Sequence, residues 1–156
     1  MKRLIALSLL LSTAILFIAC SASTPGSNFS APGSINSVQV LRVVDGDTLD
    51  VLIAGNKHRV RLFGVDTPER GERCYQEAMD RTLELSGDSV LLEAGPRKED
   101  KYGRLLFYLY TQSGESIDTK LIQEGLATAW TRDGQYRDKL VNEENQARAK
   151  GKGCLW

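Results

Sequence analysis

The sequence predicts an α+β domain of mainly β structure, in which five strands form a barrel and three helices are added, in the order β-β-β-α-β-β-α-α. Three observations support this prediction. Three early segments alternate apolar with polar residues, as strands with one buried face do. A segment with helical spacing follows the third of them, and two more strand-like segments precede two more helical ones. Residues 36–156 suffice for one such domain with one core.

The first three strands are predicted to form a meander. Residues 37–44, 48–53 and 58–63 alternate apolar with polar side chains. The sequence AGNK at 54–57 is typical of a turn, so it joins the second strand to the third.

The other predicted elements are a helix at 75–86, strands at 89–92 and 105–110, and helices at 116–124 and 135–150. A glycine follows each helix as a stop signal, and a charged segment joins the two strands. Five strands with a helix after the third favour an OB-like barrel, a fold that often presents an oligonucleotide-binding surface.

The N-terminal segment predicts export. Residues 1–19 begin with Lys2 and Arg3, continue as an apolar run and end in small residues before Cys20. The segment resembles a bacterial lipoprotein signal, which implies that Cys20 is lipidated and becomes the mature N-terminus. Residues 20–35 have the composition of a flexible tether. We therefore expect an exported lipoprotein anchored to the membrane at the cell envelope, with ordinary cleavage and secretion as the alternative.

Charge and cysteine content restrict the functional classes. The chain has 20 basic and 20 acidic residues, and removal of the leader leaves 18 basic residues and a net charge near −2. Tight non-specific binders of nucleic acid carry a large positive excess, so any action on nucleic acid must depend on a local site. Three cysteines and one histidine are too scattered for a zinc site. Export favours a disulfide between Cys74 and Cys154, with two free thiols as the alternative.

Carboxylates and arginines occur together in two segments. In VVDGDTL, Asp45 and Asp47 stand two residues apart, so on an extended chain their side chains point to the same side. A plain Asp-Gly hairpin turn is an equally simple explanation of the pair. In HRVRLFGVDTPER, Arg61 points away from the face that its apolar neighbours bury, and Pro68 stiffens the acidic loop that follows.

Three segments in register carry a resemblance to a known family. VVDGDTL, VRLFGVDTPE and DKYGRLLFYLY, in this order and spacing, resemble the staphylococcal (micrococcal) nucleases, or thermonucleases, from about Val38 to Trp156. The resemblance implies an OB-fold enzyme that hydrolyses the phosphodiester bonds of DNA and RNA and leaves 3′-phosphate ends. It also implies a monomer that prefers single-stranded or unstacked substrate and reads little sequence.

The resemblance implies a calcium site. Asp45, Asp47 and Asp66 match the family's metal-binding carboxylates, and the carbonyl of Thr67 matches a further ligand. Ligands that are all oxygen suit Ca²⁺, which accepts irregular geometry and keeps some of its water.

The resemblance also implies catalytic and substrate-binding roles. Glu69 matches the general base, or the group that positions the attacking water. Arg61 and Arg104 match the arginines that hold the scissile phosphate, for which planar guanidinium groups are well suited. Lys101 and Tyr102 match residues that contact the neighbouring phosphate of the nucleotide.

The sequence departs from the family pattern in two places, and two other functions are alternatives to a nuclease. The loop after Glu69 is shorter than in the best-known family member, and Trp130 is either a base-stacking residue or a core residue. A non-catalytic OB-fold nucleic-acid-binding module would have lost the catalytic carboxylates, which are all present. An envelope lipoprotein that binds sugar or peptide would leave the arginines and carboxylates unexplained.

Overall fold

The computed structural model describes residues 36–156. The predicted signal peptide, the tether and Cys20 lie outside the described residues, so the domain boundary, lipidation and export stay predictions. Within residues 36–156, no helix is long and apolar enough to cross a membrane.

The described chain contains seven strands and three helices. In chain order they are β1 (Asn36–Asp45), β2 (Thr48–Ile53), β3 (Asn56–Leu62), β4 (Val65–Asp66), α1 (Tyr75–Ser86), β5 (Ser89–Glu99), β6 (Leu105–Tyr110), α2 (Ile117–Gln123), β7 (Thr128–Ala129) and α3 (Arg137–Ala149). The helices lie within two residues of their predicted bounds.

Five of the strands form a closed barrel in the order β1-β2-β3-β6-β5. The pairs β1–β2, β2–β3, β5–β6 and β1–β5 are antiparallel, whereas β3 and β6 run parallel. The prediction of a five-stranded α+β barrel is confirmed. The parallel pair matters for function because it places the end of β3 beside the start of β6.

The structure corrects the predicted strands in two places. Two short strands were missed: β4 pairs with β7 through Val65 and Ala129, and two residues are too few to show an alternating pattern. Strand β5 also continues to Glu99, through a segment predicted to be a loop. Its pairing with β6 shifts register between Ala94 and Glu99, and this irregularity accommodates Pro96, which cannot donate to the ladder.

The barrel interior is filled by one face of the meander. Leu49 and Val51 of β2 and Val60 and Leu62 of β3 are fully buried in the core. Burial of each such side chain stabilises the fold by roughly 1.5 to 3 kcal/mol. Because side chains alternate along a strand, the intervening residues of β2 and β3 lie on the outer face of the barrel, where their charged groups meet.

A disulfide joins the start of α1 to the C-terminal tail. Cys74 and Cys154 are bonded, with their Cα atoms 5.7 Å apart, inside the usual range for a disulfide. Helix α1 also packs against the turn between β1 and β2, since the Thr82 hydroxyl donates to the Gly46 carbonyl at 2.6 Å. The bond therefore connects the tail to a helix that supports the Asp45–Asp47 turn.

Candidate active site

A cleft of about 580 Å³ opens beside the end of β3. Five residues predicted for the site line it: Arg61, Asp66, Lys101, Tyr102 and Arg104. They come from β3, from β4 and from the turn before β6. The parallel pairing of β3 with β6 thus brings two segments about forty residues apart to the same place.

Arg61 is a buried and firmly held cation at the wall of this cleft. Its Nη2 atom lies 2.6 Å from Asp66 Oδ1 and 3.1 Å from Asp47 Oδ2, and its Nη1 donates to the Leu62 carbonyl at 2.9 Å. The Trp130 ring centroid lies 5.3 Å from the guanidinium carbon. These contacts fix the plane of the guanidinium, so little rotamer entropy remains to be lost when it binds an anion.

Asp47 is buried in the turn between β1 and β2. Its Oδ1 accepts the Thr48 hydroxyl at 2.9 Å, and its Oδ2 accepts the Thr67 backbone N–H at 3.4 Å. Burial raises the pKa of Asp47 to about 6; Arg61 lowers it in part, and the charge of Asp45 raises it again. Asp45 Oδ1 in turn accepts the Asp47 backbone N–H at 3.2 Å. The Asp-Gly-Asp segment therefore both forms the turn and places two anionic groups near each other.

The predicted metal ligands are only partly gathered. Within residues 36–156, no group of three or more acidic, histidine or cysteine side chains lies close enough to hold a metal ion. Instead, Asp47 and Asp66 share Arg61, and Asp45 caps its own turn. The donor set nevertheless fits a hard divalent cation, since it is all oxygen and sets three carboxylates against the single guanidinium of Arg61.

Arg104 is held by the turn that precedes β6. Its Nε donates to Asp100 Oδ2 at 2.7 Å and its Nη1 to the Thr48 hydroxyl at 3.2 Å. Asp100 Oδ1 also accepts the backbone N–H groups of Tyr102 and Arg104. Burial works against the charge of Asp100, but these hydrogen bonds keep the pKa of its carboxyl below the usual range. Asp100 was missed as a positioning residue, although it opens the DKYGR segment.

Lys101 and Tyr102 form the exposed rim of the cleft. Tyr102 is 72% exposed, which is unusual for a large aromatic residue. The Lys101 ammonium lies 4.8 Å from its ring centroid, and the Arg104 guanidinium carbon lies 5.7 Å from it. An exposed aromatic ring beside two cations offers both a stacking surface and phosphate-binding charge.

Glu69 stands apart from the cleft lining. It is exposed in the loop between β4 and α1, where its backbone N–H donates to Glu72 Oε2 at 2.8 Å. Its carboxylate forms no ion pair with any residue of the described segment 36–156. The structure thus brings the two arginines together and leaves Glu69 on the neighbouring loop.

One wall of the cleft was predicted only at Trp130, for which the sequence left base stacking and a core role open; Arg97, Arg132 and Asp133 were not predicted. The Trp130 indole N–H donates to Asp133 Oδ1 at 2.7 Å, and Arg97 Nε donates to Asp133 Oδ2 at the same distance. The Arg132 guanidinium carbon lies 5.0 Å from the Trp130 ring centroid. These residues come from the end of β5 and from the segment after β7. Only the folded barrel brings Arg97 to the other three, so no local pattern could have revealed that contact.

Asp118 fixes the backbone that lies next to the site. Its side chain is fully buried, and its two oxygens accept the backbone N–H groups of Gly64 at 2.8 Å and Leu109 at 3.1 Å. Gly64 opens the connection from β3 to β4, so this carboxylate holds the backbone between Arg61 and Asp66. A Cβ atom at Gly64 would lie 2.4 Å from Leu140 Cδ1, which explains why glycine is needed there.

Known proteins match this chain over the same region. Residues 59–156 match the family model of the staphylococcal nuclease homologues. The chain is 31% identical to a thermonuclease of Staphylococcus hyicus, with 100% of this chain and 99% of the relative covered. It is 33% identical to a micrococcal nuclease of Shigella flexneri, covering 76% and 72%. It is 36% identical to endonuclease YncB of Bacillus subtilis, covering 77% and 61%. The chain therefore belongs to the staphylococcal nuclease family.

Proposed function

We propose that this protein is a calcium-dependent nuclease that works outside the cytoplasm and hydrolyses DNA and RNA with little sequence preference, leaving 3′-phosphate ends. The observation that carries the proposal is the pair of arginines on one cleft. Arg61 is held by two carboxylates and Arg104 by Asp100, so both guanidinium groups have fixed orientations.

The two arginines bind the scissile phosphate. Their planar N–H groups match the oxygens of a phosphodiester and offset the negative charge that grows on phosphorus as a nucleophile attacks. Lys101 and Tyr102 on the rim bind the adjacent nucleotide by charge and stacking. Beside its aspartates, the lining offers basic side chains and aromatic rings that suit phosphates and base faces, which agrees with low sequence preference.

Glu69 assists the attack of water. Its carboxylate accepts a proton from the water as the water oxygen bonds to phosphorus, and the bond from phosphorus to the 5′ oxygen breaks. The leaving 5′ oxygen takes up a proton from solvent, to which Glu69 releases the proton that it accepted, and the products are a 3′-phosphate and a 5′-hydroxyl. General-base assistance of this kind contributes roughly 10²- to 10⁴-fold.

Asp45, Asp47, Asp66 and the Thr67 carbonyl would hold the calcium ion. When bound, the ion supplies further positive charge to the anionic substrate and orients water. The raised pKa of Asp47 supports this role, since burial and Asp45 make an added cation favourable there.

The decisive experiment is a digest of single-stranded DNA with and without a calcium chelator. We expect cleavage in millimolar Ca²⁺, loss of cleavage with chelator, and 3′-phosphate ends on the products. Glu69→Gln should lower kcat about 100-fold or more, whereas Glu77→Gln, at an exposed position of α1, should leave it nearly unchanged. Full activity in excess chelator would refute the calcium dependence.

The proposed location rests on the N-terminal sequence alone. A lipid on Cys20 and the tether that follows would place the enzyme on the membrane with its cleft facing solvent. Cys20→Ala should release the protein from the membrane fraction or block its processing. An unchanged distribution between membrane and soluble fractions would count against lipidation.

A further inference from the structure

An unusual charge cluster lies on the outer face of the meander. The carboxylate of Asp50 in β2 is fully buried beneath three cations: Arg42 Nε lies 2.8 Å from it, Lys57 Nζ 2.9 Å and Arg59 Nε 2.9 Å. Hydrogen bonds, the largest from Arg59, hold the pKa of Asp50 far below its usual range. Three cations and one anion leave a net charge of +2 at this place, although the whole chain is neutral.

The cluster holds more cations than Asp50 needs. Arg59 alone engages both carboxylate oxygens, with Nε on Oδ1 at 2.9 Å and Nη2 on Oδ2 at 3.3 Å. Arg42 and Lys57 both approach Oδ2, and their side chains remain 58% and 56% exposed. Ion pairs whose cation stays in water stabilise a fold by about 1 kcal/mol at most. Stability alone therefore explains Arg59 better than it explains Arg42 and Lys57.

Strand register connects this cluster to the active site. Arg59 and Arg61 are two residues apart on β3, so they lie on one face roughly 7 Å apart, and they pair with Asp50 and Thr48 of β2. The hydrogen bond and charge of Asp50 raise the pKa of Arg59, and the charge of Asp45 adds to this effect. The cleft extends from Arg61 toward β6, whereas the cluster extends from Arg61 back along β3 and across to β1.

We propose that Arg42, Lys57 and Arg59, hereafter the basic strip, bind the phosphate backbone of the nucleic-acid strand where it leaves the active site. This inference rests on the proposed nuclease function, which puts a phosphate at Arg61. A row of cations spaced along a strand follows a sugar-phosphate backbone without reading bases, as in other single-strand channels. The strip would thus act on long substrates and have little to bind on very short ones.

Binding without cleavage tests the strip independently of catalysis. The probe is a fluorescent single-stranded DNA 30-mer, titrated in excess chelator over a series of salt concentrations. The variant Arg42→Gln/Lys57→Gln keeps the Arg59–Asp50 pair, and its thermal melt shows whether it folds. Loss of two phosphate contacts should weaken binding on the order of tenfold and reduce the slope of log Kd against log salt by about 1.4.

The matched control is Lys139→Gln/Lys150→Gln, which removes two exposed charges from α3 and its C-cap, away from the meander. It should change neither Kd nor the salt slope. Asp50→Asn raises the net charge of the cluster from +2 to +3 and should act in the opposite direction, with tighter binding and a steeper slope. In Ca²⁺, the loss in kcat/KM of Arg42→Gln/Lys57→Gln should be about ten times larger for the 30-mer than for a dinucleotide.

The outcomes separate the two proposals. If the wild type binds the 30-mer through the strip but does not cleave it in Ca²⁺, the proposed function fails and the strip stands. The proposed role of the strip is refuted if folded Arg42→Gln/Lys57→Gln binds the 30-mer as tightly as the wild type. It is also refuted if this variant loses no more affinity than the Lys139→Gln/Lys150→Gln control. If Arg42→Gln/Lys57→Gln loses binding to vesicles with 30% anionic lipid and keeps its affinity for the 30-mer, the surface is a membrane contact and the inference is wrong.

Discussion

Asp47, in the turn between β1 and β2, and Asp50, in β2, stand three residues apart with little or no exposed surface, and the pKa values of their carboxyls are shifted in opposite directions. Asp47 shares Arg61 with Asp66 and lies near Asp45, and its pKa is raised to about 6, by burial first. Asp50 has three cations, and its pKa is lowered. The surroundings of Asp47 lack positive charge, whereas those of Asp50 have a surplus of it. A free cation therefore suits the site around Asp47, and a polyanion suits the site around Asp50.

The largest effect is expected from Asp47. Asp47→Asn keeps the shape of the side chain but removes the charge that would attract Ca²⁺, so calcium-dependent cleavage should be abolished. Asp50→Asn is the matched control, because it removes a carboxylate from the same strand region without removing a metal ligand. A calcium titration of cleavage rate measures both, and equal losses in the two variants would end the distinction drawn between them.

The next largest effect is expected from Arg61. Arg61→Lys keeps the charge but loses the planar group that engages both Asp47 and Asp66, so kcat should fall about 100-fold or more. Arg59→Lys, on the same face of β3, should have a much smaller effect on kcat and act mainly on KM for long substrate. Steady-state kinetics on folded protein compares them, and similar kcat values would show that Arg61 does not contact the reacting phosphate.

The disulfide should stabilise the turn that carries Asp47 more than the strand segment that carries Asp50. The Cys74–Cys154 bond anchors α1, which packs on the Asp45–Asp47 turn. With a sequence separation of 80 between the cysteines, chain entropy sets an upper limit of about 4.5 kcal/mol on the stabilisation. Cys74→Ser/Cys154→Ser should therefore lower Tm clearly. Hydrogen exchange should rise first in the turn and later in the basic strip, and uniform exchange would contradict this.

The smallest effect is expected from Asp118, a third buried aspartate. Asp118 has two backbone N–H donors, and burial raises its pKa to about 6. The native state therefore holds its proton more tightly than the unfolded chain. Its contribution to stability is complete below about pH 4 and is lost as pH rises to 6.

Asp118→Asn can accept only one of the two N–H groups, so it should destabilise the fold by about 1 to 3 kcal/mol. It should also flatten the fall in stability between pH 4 and 6. Urea unfolding at several pH values measures both effects. If the wild type instead becomes more stable from pH 4 to 6, and Asp118→Asn removes that rise, the pKa of Asp118 is lowered and not raised.

The sequence was sufficient where local pattern carries the information. Alternation predicted the meander, and helical spacing with glycine stops predicted all three helices within two residues. It was insufficient where distant segments meet. The pairing of Val65 with Ala129, the contact of Arg97 with Asp133 and the bonds from Asp118 to Gly64 and Leu109 depend on closure of the barrel.

The resemblance predicted which residues face the cleft better than it predicted how they pair. Asp66 was expected beside a metal ion, yet in the structure it is paired with Arg61. Ion pairing between residues of opposite charge depends on distances that only three-dimensional packing sets. Asp50 carried no motif at all, and its three cations become apparent only when β1, β2 and β3 are aligned.

The closure of the barrel has a consequence for the order of folding. The first strand pairs with β5, so Ser37 meets Leu91 only after the intervening chain has been brought around. Contacts between residues so far apart form slowly, because the entropy of the closed loop must be lost first. The meander can form early, whereas the β3–β6 contact that joins Arg61 to Arg104 must wait for β6. We therefore expect a partly folded chain to carry the basic strip before it carries a working cleft.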